Sequence, residues 1–155
     1  LRRPRVGSAD GGMGNRERTG LAGYVKARAG DLPILGSWLG MRFLLDGSEE
    51  EGIHKGLSLI PGRAVRFSEG KVPQMGWNNV SDLRSPLFAG IRDGAQFYFV
   101  HSYFADTTDE YTIGKTEYYR TYASAIGKDH VYGVQFHPEK SGDVGLQLMR
   151  NFMRL

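Results

Sequence analysis

The sequence Gly36-Ser37-Trp38-Leu39-Gly40 has the spacing of a nucleophile elbow, in which a strand turns sharply into a helix. The central residue of such an elbow sits in a strained backbone conformation, and glycines two positions before and after it let the strand and the helix pack closely. The central position here holds Trp38, and an indole ring cannot attack a carbonyl carbon. The pattern therefore predicts the backbone of a nucleophilic site with a tryptophan where the nucleophile should be.

A histidine that could act as a general base follows a predicted strand near the end of the chain. His137-Pro138-Glu139 places a carboxylate two residues after the imidazole, with a proline that stiffens the turn between them. A carboxylate that accepts one imidazole N–H fixes the tautomer and the orientation of a base. The same spacing also suits a structural histidine, as does the strand context of His101. From the spacing alone, both interpretations stay open.

The elements that must position these residues follow from hydrophobic periodicity and from glycine and proline breaks. Helices are predicted over 16–29, 39–46 and 143–155, the last with Val144, Leu148, Met149, Phe152 and Met153 on its buried face. Residues 47–56 are predicted to form an acidic loop. Because a strand over 33–37 leads directly into a helix, we expect a parallel sheet covered by helices. Further short strands are predicted over 62–67, 71–75, 96–101, 117–119, 122–126 and 131–136.

Length and composition bound the class of protein. The 155 residues, 40% of them hydrophobic, predict one domain that can bury a core. With 20 Lys and Arg against 17 Asp and Glu, the net charge of +3 gives no sign of a nucleic-acid surface. The absence of cysteine excludes disulfides, thiolate metal sites and thiol catalysis by the written sequence. No apolar run has the roughly 18 to 20 residues that span a bilayer, so we expect a cytoplasmic protein without membrane contact.

Several blocks occur together in one order along the chain, at residues 4–7, 33–41, 56–62, 71–78, 97–103 and 133–141. Taken together, they resemble the glutamine amidotransferase subunits of imidazole glycerol phosphate synthase, a class I, triad-type family. The block Met75-Gly76-Trp77-Asn78 and the residues 135–141 are particular to this subunit among its relatives. The resemblance covers nearly the whole chain.

The resemblance implies an α/β fold with an open, mostly parallel twisted sheet and helices on both faces, as in flavodoxin-like proteins. It also implies a single glutamine amidotransferase type-1 domain over 1–155 that lacks the family's opening strand-helix-strand unit. The implied activity is hydrolysis of glutamine to glutamate and ammonia. The ammonia passes to a cyclase barrel subunit, which makes imidazole glycerol phosphate and AICAR in histidine biosynthesis. The complex would be a heterodimer with hydrolase and lyase activity and would need no metal or other cofactor.

Site residues carry over from the family position by position. Trp38 stands where the family has its nucleophilic cysteine, His137 matches the general base, and Glu139 matches the residue that orients it. Positions matched to substrate binding or the oxyanion hole are Val6, Gly7, Gly40, Arg42, His101, Ser102 and Tyr103. Positions matched to the contact with the cyclase subunit are Trp77, Tyr98 and Lys140.

The written sequence departs from the family around the elbow. Trp38 replaces the cysteine, and Arg42 replaces a glutamine that helps to hold the substrate. Arg5 and Ser37 are also unusual for the family. Two interpretations remain open: the working protein has a cysteine at position 38 and is a glutaminase, or the chain is an inactive homologue that docks on the cyclase subunit without catalysis.

Overall fold

A mixed β-sheet with short helices forms the centre of the fold in this computed structural model, which describes residues 20–49 and 54–155. The helices are α1 (Leu21–Arg28), α2 (Leu39–Leu44) and α3 (Gly142–Met153). The first strands are β1 (Ile34–Ser37), β2 (Gly47–Ser48), β3 (His54–Lys55), β4 (Arg63–Arg66) and β5 (Gln74–Val80). They are followed by β6 (Ala95–His101), β7 (Tyr103–Asp106), β8 (Thr112–Glu117), β9 (Thr121–Lys128) and β10 (Val131–Val134). Short 3-10 helices span Pro86–Phe88, Asp109–Tyr111 and Pro138–Lys140.

The main sheet has the strand order β1-β10-β9-β7-β4-β2-β3, with β8 paired to β9. Strands β5 and β6 form a separate two-stranded ribbon. The predicted α/β class is confirmed. Among the described strands, however, only β1 with β10 and β2 with β4 pair in parallel, and the others pair antiparallel. The pairing is more antiparallel than the sequence predicts, in part because short turns join β8 to β9 and β9 to β10 as antiparallel neighbours.

The parallel pairing of β1 with β10 sets the position of the elbow. Ser37 lies opposite Val134, and the Trp38 N–H donates to the Val134 carbonyl at 2.8 Å. Both strands therefore end at the same edge of the sheet. Because His137 follows β10 by only three residues, the register alone brings the elbow and the candidate base close together.

The main apolar core joins the ribbon to the sheet. Along β6 the exposed and buried positions alternate, and Phe97 and Phe99 are fully buried. Phe136, which follows β10, is also fully buried, and its ring centroid lies 4.1 Å from that of Phe97. Burying an aromatic side chain of this size stabilises the folded state by about 2 to 3 kcal/mol. The turn that carries His137 is therefore anchored at its start by a core aromatic ring.

The buried face of α3 agrees with the predicted one at Val144, Leu148 and Phe152, which pack in or against the core, and differs from it at the two methionines. Met149 and Met153 are 39% and 79% exposed, whereas Gly145, Leu148 and Asn151 are buried. The reason is polar: the Asn151 side-chain amide donates to the backbone carbonyls of Leu87 and Ala89, at 2.9 and 2.8 Å. These bonds turn α3 towards the 3-10 helix at Pro86–Phe88.

Other element boundaries also differ from prediction. The predicted loop over 47–56 contains the short strands β2 and β3, and β7 was not predicted. The strand predicted over 117–119 is wrong, since β8 ends at Glu117 and Tyr119 turns with φ 59°. The helix predicted over 16–29 is confirmed as α1, and its first residues lie outside the described part of the chain. Across residues 20–49 and 54–155, no helix has the length and apolar character needed to cross a membrane.

Candidate active site

The elbow at the end of β1 has the predicted strained geometry. Trp38 adopts φ 51° and ψ −112°, a conformation that costs a bulky residue about 1 to 3 kcal/mol. A Cβ on Gly36 would lie 2.7 Å from both the carbonyl carbon and the oxygen of Gly40, so only glycine lets the strand meet the helix this closely. At Gly40 itself, an added Cβ would meet no atom within 4 Å. Gly36 therefore closes the elbow, whereas Gly40 faces open space.

The candidate base is held by its neighbouring carboxylate. The His137 Nδ1 lies 3.1 Å from the Glu139 Oε1, and the His137 side chain is 8% exposed. A carboxylate can only accept, so Nδ1 carries the hydrogen and the neutral ring presents Nε2 as an acceptor. This is the tautomer and orientation that a general base needs.

Trp38 of the elbow and the candidate base His137, which are far apart in the sequence, contact each other in the structure. The ring centroids of Trp38 and His137 lie 5.2 Å apart, with an interplanar angle of 36°. The indole also packs against the small apolar cluster of Leu39, Phe43 and Leu57. The position from which a side chain could exchange a proton with His137 is therefore occupied by an apolar ring.

A second group of predicted residues gathers beside this pair. Arg42 is 6% exposed, and its guanidinium carbon lies 5.2 Å above the centre of the Tyr103 ring. The backbone carbonyl of Tyr103 lies 2.7 Å from the His101 Nδ1 and accepts its hydrogen. The carbonyl of Ser102 accepts from the Phe67 N–H. The structure thus places Arg42, His101 and Tyr103 together, at the junction of β6 and β7.

His101 is occupied by structural hydrogen bonds. With the hydrogen on Nδ1, the Nε2 of the neutral ring can only accept; it lies 3.1 Å from the Tyr122 hydroxyl and 2.9 Å from the Gln74 side-chain amide, and those two side chains lie 2.8 Å apart. The pKa of His101 is lowered from 6.5 to about 3, chiefly by burial and to a smaller degree by the neighbouring Arg42 and His137, while the bond to Tyr103 opposes the shift. The ring is therefore neutral at neutral pH. Its contacts join the β5–β6 ribbon to β9, and a direct role in substrate binding stays a prediction.

The residues matched to a partner contact lie on the ribbon and on the base turn. Trp77 is 54% exposed and makes an edge-on contact with Tyr98, at 5.9 Å between ring centroids. The Tyr98 carbonyl accepts from the His137 N–H at 2.9 Å. Lys140 is exposed on the 3-10 helix that contains Glu139. This surface is therefore connected to the candidate base through the backbone of Tyr98.

Sequence reasoning missed three residues that shape the site. Gln74 and Tyr122 complete the polar cluster around His101. The hydroxyl of the buried Ser141 bonds to the Tyr98 N–H and to the His137 carbonyl. Side chains that bond to backbone or to other core polar groups leave no spacing signal in a sequence. Val6 and Gly7 lie outside the described residues.

Comparison with known families gives one domain-length match. The family described as glutamine amidotransferase class-I matches residues 10–155. The chain is 45% identical to the imidazole glycerol phosphate synthase subunit HisH of Chloroflexus aurantiacus over 159 aligned residues. The alignment covers 97% of this chain and 75% of that relative. It is 47% identical to the subunit of the same name from Methanocaldococcus jannaschii, over 80% of this chain and 64% of the relative. The chain thus spans less than two thirds of the latter protein.

Solved structures give the same fold. A crystal structure described as a glutamine amidotransferase matches with a TM-score of 0.68 at 16% identity, over 90% of this chain and 69% of the other. A glutamine amidotransferase from Thermotoga maritima matches with a TM-score of 0.64 at 16% identity, over 99% of this chain and 66% of the other. At these identities the likeness concerns the fold alone.

Proposed function

The chain belongs to the class-I glutamine amidotransferase family, and we propose that its role is that of the glutaminase subunit of an imidazole glycerol phosphate synthase. In this role it hydrolyses glutamine to glutamate and ammonia in the cytoplasm. The ammonia serves a cyclase subunit, which forms imidazole glycerol phosphate and AICAR in histidine biosynthesis. The identity of 45% to a HisH subunit, over 75% of that protein, supports this proposal.

The proposal rests on the contact between the strained elbow at Trp38 and the His137 ring, which Glu139 orients. Trp38 holds the backbone conformation of a nucleophile elbow, and the centroid of the His137 ring lies 5.2 Å from that of the indole, with Glu139 on the His137 Nδ1. A structural histidine would not require a strained residue beside its ring. What the written sequence lacks is the nucleophile.

The chemistry follows from the positions of these groups once a thiol stands at position 38. His137 takes the thiol proton, and the sulfur attacks the side-chain amide carbon of glutamine. As the C–N bond breaks, His137 returns that proton to the leaving nitrogen, which departs as ammonia and leaves a thioester. Water, deprotonated by His137, then attacks the thioester, and glutamate is released with the thiol restored. Glu139 keeps the imidazole in the tautomer that each of these steps needs.

The test is a comparison of two substitutions at position 38 in the full-length protein with its cyclase subunit. Trp38→Cys supplies both the space and the thiol, so we expect glutamine-dependent glutamate release, measured by a coupled glutamate dehydrogenase assay. Trp38→Ala supplies the space without the thiol and is expected to release none, as is the unchanged protein. If Trp38→Cys is silent, Trp38→Cys with Arg42→Gln restores the family's substrate contact as well. Silence of both would contradict the proposal.

We further propose that the cyclase subunit docks on the surface formed by Trp77, Tyr98 and Lys140. The exposed aromatic pair offers apolar area, and Lys140 offers a positive charge beside the base turn. Lys140→Glu reverses that charge and is expected to weaken co-purification with the cyclase subunit. Lys128→Glu changes an exposed lysine at the end of β9 and serves as the matched control. Equal recovery of the complex with both variants would contradict this assignment.

A second candidate function is a non-catalytic docking partner of the cyclase subunit. It is favoured by the Trp38 ring itself, which packs against Leu39, Phe43 and Leu57 and fills the space beside His137. In that case the cyclase reaction would take free ammonium as its nitrogen source. Resequencing the gene across codons 36–42, together with cyclase activity measured with ammonium and with glutamine, separates this candidate from the glutaminase.

A further inference from the structure

The hydroxyl of Ser141 lies between the ribbon and the turn that carries the base. Its Oγ accepts from the Tyr98 N–H at 3.0 Å and donates to the His137 carbonyl at 2.6 Å. Ser141 is 1% exposed, so water cannot take over either bond. One side chain therefore joins strand β6 to the peptide group of the candidate base.

The surrounding backbone explains why a hydroxyl is needed at this place. The His137 N–H donates directly to the Tyr98 carbonyl at 2.9 Å, as in a strand ladder. The chain then turns into the 3-10 helix Pro138–Lys140, and the return bond from Tyr98 to the His137 carbonyl is not made directly. Ser141 inserts its hydroxyl into that gap. Both backbone groups of Tyr98 are thus used to hold the segment from His137 to Ser141.

Helix α3, which follows the turn, packs closely against it. A Cβ on Gly145 would collide with the Pro138 carbonyl oxygen and lie 3.0 Å from the Ser141 Cβ. The His137 carbonyl also accepts from the Lys140 N–H at 3.0 Å. The turn is consequently fixed by β6, by α3 and by its own backbone, and the Ser141 hydroxyl is the side-chain contact between its two ends.

We propose that Ser141 is a positioning residue, whose hydroxyl keeps the His137 ring aimed at position 38. The inference rests on the proposed function, because the ring matters only if a thiol at position 38 uses it. Removal of the hydroxyl leaves the Tyr98 N–H without an acceptor and the His137 carbonyl with one donor fewer. The segment from His137 to Glu139 then shifts relative to the elbow.

The experiment follows the reactivity of a thiol introduced by Trp38→Cys in the full-length protein. Iodoacetamide alkylates thiolate, and an aligned histidine keeps a thiol reactive at pH values below its usual pKa of about 8.5. We expect Ser141→Ala to slow alkylation at pH 7 about tenfold and to move the pH profile towards that of an ordinary thiol, as His137→Asn does. Ser141→Thr retains the hydroxyl and is expected to stay within about twofold of the parent.

A second serine separates positioning from general stability. The Ser85 Oγ accepts from the Leu87 N–H at 3.1 Å at the start of the 3-10 helix Pro86–Phe88, in contact with α3 but on another turn. Ser85→Ala also removes a hydroxyl bonded to backbone, and we expect it to leave the alkylation profile unchanged. Urea unfolding of each variant shows whether it is folded under the assay conditions. If Ser141→Ala is unfolded, the comparison of Ser141→Thr with the parent carries the test, and a tenfold loss there overturns the proposal.

The outcomes distinguish this inference from the proposed function. If His137→Asn slows alkylation and folded Ser141→Ala does not, the positioning role is wrong while the pairing of His137 with position 38 stands. If neither substitution changes the profile, His137 does not act on position 38 at all, and both proposals fail. If both slow alkylation but neither Trp38→Cys nor Trp38→Cys with Arg42→Gln releases glutamate, the positioning role stands and the glutaminase fails.

Discussion

The elbow and the base turn contain different parts of the proposed active site. At the elbow the strained backbone is present, with Trp38 at φ 51°, but the side chain cannot react. At the base turn, both an ordered backbone and a side chain that can react are present. Glu139 orients the His137 ring, and Tyr98 and Ser141 hold the His137 peptide group. The two regions contact each other through the rings of Trp38 and His137, so they belong to the same folded unit.

The difference shows that the elbow does not depend on its central side chain. The absence of a Cβ at Gly36 and the register of β1 on β10 fix the path of the chain before and after position 38. The base turn, by contrast, depends on side-chain bonds from Ser141 and Glu139. The glycine contact and the strand register therefore shape the elbow, whereas the base turn also depends on single polar groups.

Gly36→Ala is the substitution that should break the elbow most strongly. The added Cβ would lie 2.7 Å from the carbonyl carbon of Gly40, against backbone that cannot rotate away. We expect the free energy of unfolding to fall by about 3 kcal/mol, the upper end for an overpacked core position. Urea unfolding followed by circular dichroism measures the change. A loss below about 1 kcal/mol would mean that the elbow is held by something other than this close approach.

His101→Gln sharpens the comparison by showing which histidine near the site makes the fold sensitive to acid. The pKa of His101 is about 3 in the folded protein, against 6.5 for an ordinary histidine. As the pH falls below 6.5, the unfolded chain binds a proton that the folded protein refuses, so stability is lost progressively towards pH 3. The loss is about 1.4 kcal/mol per pH unit, or about 2 kcal/mol between pH 6.5 and pH 5.

The measurement is the free energy of unfolding from urea curves at pH 7, 6 and 5. The difference between the protein and His101→Gln should shrink by about 2 kcal/mol towards pH 5, because the variant lacks the titrating group. His130→Gln is the matched control, since His130 is exposed at the turn between β9 and β10. Parallel curves for the protein and His101→Gln would show that His101 does not resist protonation in the folded state.

The parts of the site that the sequence predicts are those encoded by spacing. Gly36, Trp38 and Gly40 predict the elbow, because that pattern is local. The close order of His137 and Glu139 likewise suggests an imidazole oriented by a carboxylate, but the spacing alone leaves open whether that histidine is a base or a structural residue. The His101 network could not be predicted in this way, since Gln74, His101 and Tyr122 come from β5, β6 and β9 and meet only through tertiary packing. The exposure of the two methionines of α3 was missed because a buried amide, Asn151, outweighs them in setting the buried face.

Gly40→Ala tests the open side of the elbow and should have the smallest effect on stability. An added Cβ meets no atom within 4 Å, and alanine is favoured over glycine in a helix, so we expect the free energy of unfolding to rise by about 0.5 to 1 kcal/mol. In the Trp38→Cys protein, the same methyl group tests the match of Gly40 to a substrate-binding or oxyanion position, because it would take up space that bound glutamine needs there. The KM for glutamine should then rise about tenfold, since a loss of about 1.4 kcal/mol in substrate binding corresponds to that factor. A stabilised variant with an unchanged KM would place glutamine elsewhere and leave Gly40 as a position where the elbow tolerates a side chain. The opposite responses expected at Gly36 and Gly40 distinguish the glycine that builds the backbone from the glycine that leaves room for the substrate.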